Sequence, residues 1–188
     1  QLGLSTDQSL SLSGTLATIP YRVSLGYNNQ KGTLKTSSYE RLTAGINLTP
    51  SLFDDHLKVT ANVKAVLNNN VYADGGAVGA AAFYDPTQAV YNYKNDKTID
   101  YNIFNGFRNW GTAQLPNTLS GTNPLSLLYD KYDSGRSNRL IGNLELDYKM
   151  HFLPDLRAHL NLGFDYGEGK GTNGVRQNSF QAWKDADF

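Results

Sequence analysis

The sequence predicts an all-β chain: antiparallel, up-and-down strands cut from a transmembrane β-barrel, with a long extracellular loop that contains short helices. Three observations predict it. Apolar and polar residues alternate over stretches of about ten residues, the length a tilted strand needs to cross a bilayer. Short and long connections alternate along the chain. Aromatic residues gather near the strand ends, where the girdles of a membrane barrel sit. The clearest stretch is Leu156 to Tyr166. Leu156, Ala158, Leu160, Leu162, Phe164 and Tyr166 fall on one face, and Arg157, His159, Asn161, Gly163 and Asp165 on the other. Successive side chains of a strand point to opposite faces, so this segment has one oily and one wet side. Leu156, Leu160, Leu162 and Phe164 are expected to face lipid. Arg157, His159, Asn161 and Asp165 are expected to face a water-filled lumen.

Five further strands precede it. The first covers about residues 8–17, with Leu10, Leu12 and Leu16 on one face. The second covers about 21–30: Tyr21, Val23, Leu25 and Tyr27 oppose Arg22, Ser24, Gly26 and Asn28. The third covers about 39–49, with Leu42, Ala44, Ile46 and Leu48 opposing Arg41, Thr43, Gly45 and Asn47. In the fourth, about 57–67, Leu57, Val59, Ala61, Val63 and Ala65 oppose Lys58, Thr60, Asn62 and Lys64. In the fifth, about 138–150, Leu140, Leu144, Leu146 and Tyr148 oppose Arg139, Asn143, Glu145, Asp147 and Lys149; Ile141 is a blemish on its polar face.

The connections sort by length. Strands one and two join around Thr18–Pro20, three and four through Pro50 to His56, five and six through His151 to Asp155. Residues 31–38, 68–137 and those after Gly167 form the longer links. In an antiparallel meander odd and even links lie at opposite ends, so every short turn falls at one end, as in membrane barrels with short periplasmic turns. This divides the chain into strands one to four (residues 1–67), an extracellular insertion (68–137), strands five and six (138–167) and the start of the next extracellular loop (168–188). The insertion is too long to be structureless. Gly75 to Pro86 predicts a short helix stopped before the proline. Asn123 to Tyr132 predicts another, with Asn as N-cap and Pro at the first helical position.

Composition excludes several classes. The 188 residues carry no net charge, which gives nucleic acid no basic footprint. There is no cysteine, so disulfides and thiolate metal sites are excluded. No run of about 18 apolar residues exists for a membrane-spanning helix. His56, His151 and His159 are scattered and lack the i, i+4 spacing of a helical zinc site. Asp54 and Asp55 sit in a turn, where Asp bonds its own backbone. Asp130 and Asp133 are candidates for a surface calcium site, without EF-hand spacing. Gly167 to Gly174 lacks the spacing of a phosphate loop and is expected as a flexible loop. No catalytic constellation, metal or cofactor is expected. In the insertion Tyr84, Tyr91, Tyr93, Phe104, Phe107 and Trp110 are candidates for ligand contact, since aromatic faces stack on sugar rings and give rigid area for peptides. Self-packing of the loop, or contact with a partner protein, is the alternative for each.

A soluble β-sandwich that binds carbohydrate or peptide also alternates, because one face is core and the other wet. Against it stand the strand lengths, since soluble strands centre on about 5–6 residues, and the charged side chains along the polar faces. If the strands cross a membrane, six leave two open edges that lipid does not tolerate, so the chain is expected to be part of a longer polypeptide. Tyr21 to Leu48 resembles the early barrel strands of SusC/RagA-type TonB-dependent outer-membrane transporters. Phe53 to Val59, Asp85 to Asn92, Asn123 to Leu128 and Asn138 to Tyr148 follow in the order that family shows. The resemblance runs to about Tyr166. It implies a Gram-negative outer-membrane importer of oligosaccharides or peptides, with a barrel of roughly 22 strands around a plug. It also implies energy drawn through TonB and a SusD-like surface lipoprotein as partner. Plug and TonB-contact segment fall outside these residues.

Overall fold

The structure, a computed structural model, describes residues 2–112, 115, 117, 119–153 and 155–186. The described residues form one antiparallel sheet of seven strands. Its strands are β1 (Ser5–Leu16), β2 (Ile19–Lys31), β3 (Ser38–Leu48), β4 (Ser51–Leu52), β5 (Leu57–Val71), β6 (Lys131–Lys149) and β7 (Arg157–Val175). They lie in the order β1-β2-β3-β5-β6-β7, each beside its neighbour in sequence, with the two-residue β4 hanging on β5. This is the expected up-and-down meander. The short turns at Ala17–Thr18, 49–56 and 150–156 all fall at one end; within the last of these, Pro154 lies outside the described residues. In the turn before β5, Phe53, Asp54 and Asp55 are all left-handed (φ 58°, 52° and 66°). Asp tolerates that region because its short side chain bonds locally, here by accepting from Ser51 Oγ at 2.5 Å.

The register carries the alternation across the sheet. Directly opposed residues share a face, so the pairings chain into rows. One row runs Leu12–Val23–Ile46–Val63–Gly142–Phe164; the next runs Leu10–Leu25–Ala44–Ala65–Leu140–Tyr166. Phe164 lies against Gly142 where a side chain would otherwise stand, filling the gap in its row. On the opposite face one row runs Ser13–Arg22–Asn47–Asn62–Asn143–Gly163. A one-residue slip anywhere would exchange the two faces, which is why the pattern pins the register.

Three strands run further than the alternation predicts. β5 continues to Val71, β6 begins at Lys131 rather than Asn138, and β7 continues to Val175. Gly167 to Gly174 is therefore strand and not a flexible loop: Arg139↔Gly167 through Lys131↔Val175 extend the β6–β7 ladder. The extension is polar on both faces, so periodicity carries no trace of it. Helix α3 (Phe180–Ala186) follows, so the described residues 168–186 hold strand and helix where a loop is expected; residues 187 and 188 lie outside the described residues. The first strand likewise begins at Ser5, and Leu156 stands just before β7.

The buried core is not in the sheet. It lies in the insertion, where Ala77, Phe104, Phe107 and Leu128 are buried, and it takes in Phe180 from beyond β7, whose ring meets Phe104. The insertion holds α1 (Gly76–Phe83) and α2 (Pro124–Tyr129), both where the sequence places helices. Among the described residues a 3-10 turn, Phe104–Gly106, lies between them. Gly106 is left-handed (φ 87°), and Ile99 stands 2.7 Å from where a Cβ would be, so no other residue fits there.

Candidate functional site

The sheet presents two surfaces of opposite chemistry. The large apolar residues of the ordered face stay exposed, among them Leu10, Leu12, Leu25, Ile46, Val63, Leu160, Leu162 and Phe164. An uncovered apolar surface of this extent marks a partner or a membrane. It does not favour the sandwich alternative, which requires a second sheet over that face; the described residues supply none. Leu160 stands opposite Leu146, Leu162 opposite Leu144, and Phe164 opposite Gly142. On the other face His159, Asn161 and Asp165 stand opposite Asp147, Glu145 and Ile141. Arg139 and Asp165 form an ion pair there. Arg157 approaches Asp147 at 3.5 Å and His159 approaches Glu145 at 3.9 Å. The polar face is hollowed by a trough of about 420 Å³, lined by Arg22, Lys64 and the amides of Asn47, Asn62 and Asn143, with Ile46, Val63 and Ile141 between them.

The insertion is built around two buried polar side chains. Asn123 is 0 % exposed. Its Oδ1 caps α2 by accepting from the Leu125 and Ser126 amides at 2.9 and 3.4 Å. Its Nδ2 donates to the carbonyls of Val90 and Arg108, both at 2.8 Å, and so ties α2 to the segment before and after the aromatic stretch. Asp130 is 1 % exposed and accepts from Ser126 Oγ (2.7 Å) and Asn105 Nδ2 (2.9 Å). Burial pushes its carboxyl above the usual range, against the opposing pull of those donors and of Arg176. The Arg176 amide donates to the Asp130 carbonyl at 2.8 Å, which fastens the end of β7 to the insertion. Asp130 thus serves the fold, and Asp133 accepts from Asn173; no group of three metal-ligating side chains occurs among the described residues.

The aromatic candidates divide. Phe104 and Phe107 are buried: Phe104 meets the Phe180 ring edge-on at 5.6 Å, and Phe107 stacks on Tyr129 at 6.1 Å. Their faces are occupied by protein, which corrects the expectation that they meet a ligand. Tyr91 is half-buried and packs on Phe107 at 5.8 Å, and exposed Tyr93 meets Tyr91 edge-on. Tyr84 and Trp110 instead line a cleft of about 190 Å³ with Phe83, Ala80 and Gly79 of α1 and Gly121 and Thr122. Trp110 is 37 % and Phe83 93 % exposed. Tyr84 is held by its hydroxyl, which donates to the Ala89 carbonyl at 3.0 Å. Phe83 is absent from the sequence candidates because it ends an alanine-rich helix whose fully solvated tip has no periodic signature.

A meander with one uncovered oily face, one charged face and turns sorted by end is a segment of an outer-membrane β-barrel. Over 94% of its length the chain is 44% identical to the TonB-dependent receptor SusC of Bacteroides thetaiotaomicron, and it spans 18% of that protein. No protein-family model matches the chain. The likeness is to the SusC-type TonB-dependent receptors, and it places the chain in the bacterial outer membrane.

Proposed function

We propose that the chain is a wall segment and surface loop of an energy-coupled importer that takes up oligosaccharides or peptides. The observation that carries this reading is the sheet itself: its rows hold oily and polar residues in unbroken register, and none of the described residues covers either face. In a barrel the oily face meets lipid and the polar face lines a water-filled lumen. Leu156, Leu160, Leu162 and Phe164 then face lipid, and Arg157, His159, Asn161 and Asp165 face the lumen. The insertion lies on the extracellular side, opposite the short turns. Its cleft at Phe83, Tyr84 and Trp110 is the place where cargo first meets the receptor, because exposed rings flanked by glycine leave a flat, accessible stacking surface. Energy comes through TonB and capture is shared with a SusD-like surface lipoprotein. The chain's role is transport and not catalysis.

The test is fractionation and uptake with the full-length gene in a Gram-negative host. The reading predicts recovery only from the detergent-solubilised outer membrane, and nutrient uptake that ends when TonB is deleted. Recovery in the soluble periplasmic fraction refutes it. Phe83→Ala with Trp110→Ala is expected to leave the barrel assembled and to weaken cargo capture severalfold.

A further inference from the structure

On the polar face the two halves of the sheet differ in charge. Across β6 and β7 that face carries Lys131, Arg139, Lys149 and Arg157 against Asp133, Glu145, Asp147 and Asp165, with Arg139 paired to Asp165 and Arg157 to Asp147. Across β1 to β5 the same face carries Arg22, Arg41, Lys58 and Lys64 against Asp7 alone. Three of these, Arg22, Arg41 and Lys64, have no carboxylate even as a register neighbour, and two of the three, Arg22 and Lys64, lie at the trough. Arg22 stands between Ser13 and Asn47, and Lys64 between Gly45 and Ile141. Neither forms an ion pair among the described residues. Both border the trough of about 420 Å³.

Gly45 lines the trough between Arg22 and Lys64, beside Ser24, whose Oγ lies 2.8 Å from where a Cβ would stand. Arg22 and Lys64 lie two strands apart and two residues offset, which sets their Cα atoms roughly 12 Å apart on standard strand spacings. Two long side chains converge across such a gap on one group held between them. Asn47, Asn62 and Asn143 form a continuous amide row beside it. Each amide offers two donors and an acceptor, which matches hydroxyl groups. The volume lies within the range of small-molecule sites, roughly 300–1,000 Å³.

We propose that this trough binds a hydroxylated carboxylate carried by a solute in the lumen, of the uronic-acid type. The Arg22 guanidinium takes the carboxylate through two parallel N–H donors, Lys64 adds a second charge, and the asparagine amides take the hydroxyls. The proposal rests on the importer reading above, through the assignment of this face to the lumen.

The experiment uses the full-length receptor purified in detergent, with trigalacturonate and its fully methyl-esterified form as probes, measured by calorimetry. The two differ in charge and little else. The expected result is at least tenfold tighter binding of trigalacturonate than of its ester, and loss of that preference in Arg22→Gln with Lys64→Gln at unchanged thermal unfolding. Equal binding of the probes, no binding of either, or a preference that survives the double substitution overturns the proposal. So does a carbodiimide cross-link from Lys64 to an acidic side chain of the same polypeptide without added probe, since the occupant is then the protein itself. A receptor that binds trigalacturonate with the expected preference but moves no nutrient leaves the site standing and sinks the importer reading instead.

Discussion

Asn123→Ala should open the insertion without opening the sheet. The side chain is fully buried and makes four hydrogen bonds, two as acceptor and two as donor. Removing the cap of α2 costs about 1 kcal/mol. The Val90 carbonyl keeps a second donor, the Arg108 amide at 3.0 Å. The Arg108 carbonyl is left without that partner, and a stranded buried acceptor costs roughly 1–3 kcal/mol. The sum is about 2–4 kcal/mol, charged to the insertion alone because its core is separate from the sheet. In hydrogen exchange on the membrane-embedded full-length protein, the amides of residues 125–130 should exchange roughly 30- to 700-fold faster, from about 1.4 kcal/mol per decade. The β2–β3 and β3–β5 amides should not change. Asn123→Asp separates the two roles. It keeps the cap but aims a carboxylate at two carbonyls, so it should be at least as damaging as alanine. A rate change under threefold for Asn123→Ala, or protection by Asn123→Asp, refutes the reasoning.

Other outcomes follow from single contacts. Asp130 has its carboxyl raised by burial, so the folded insertion holds a proton that the open form releases more readily. Stability of the insertion is then greatest below the open-state value of about 3.9 and falls as pH rises from there through the folded value. Asp130→Asn should flatten that dependence in exchange measured across pH. Gly142→Ala should push the Phe164 ring off its row and destabilise the β6–β7 pair by roughly 1–3 kcal/mol in urea titrations of the barrel in lipid vesicles. Thr87→Ala should raise the Asp85 carboxyl only part of the way to the ordinary range, since it keeps the Thr87 amide, the stronger of the two donors that hold it low, and removes the hydroxyl, a change visible in a carboxyl NMR titration of the isotopically labelled receptor.

The order of the strands and their two faces are legible in the sequence because a membrane strand has only one periodicity to show. Leu140, Leu144 and Leu146 alternate with charged and amide residues, and the register then follows from matching oily to oily. The strand ends are not legible. Beyond the bilayer both faces meet water, so Glu168 to Gly174 carries no alternation, and glycine there reads as loop although it pairs with β6. The helices are legible through their stop and cap residues, Pro86 and Asn123. The packing of the insertion is not. Phe104 and Phe107 look like Tyr84 and Trp110 in the sequence, and only their neighbours Phe180 and Tyr129 decide that the first two are core. The trough was equally hidden, because Arg22 and Lys64 lie 42 positions apart and meet only through Gly45 and the pairing of β3 with β5.

The central claim is that the Leu160 face meets lipid and the Asn161 face meets water. Leu160 lies in the run of β7 that pairs with Glu145 to Leu146, and its neighbour Asn161 points the other way. The measurement is the unfolding free energy of the full-length barrel in lipid vesicles for Leu160→Arg against Asn161→Arg. Arginine on the lipid face near the midplane should cost about 2–4 kcal/mol, and on the lumen face close to nothing. Equal costs, or a larger cost at Asn161, contradict the assignment of the two faces.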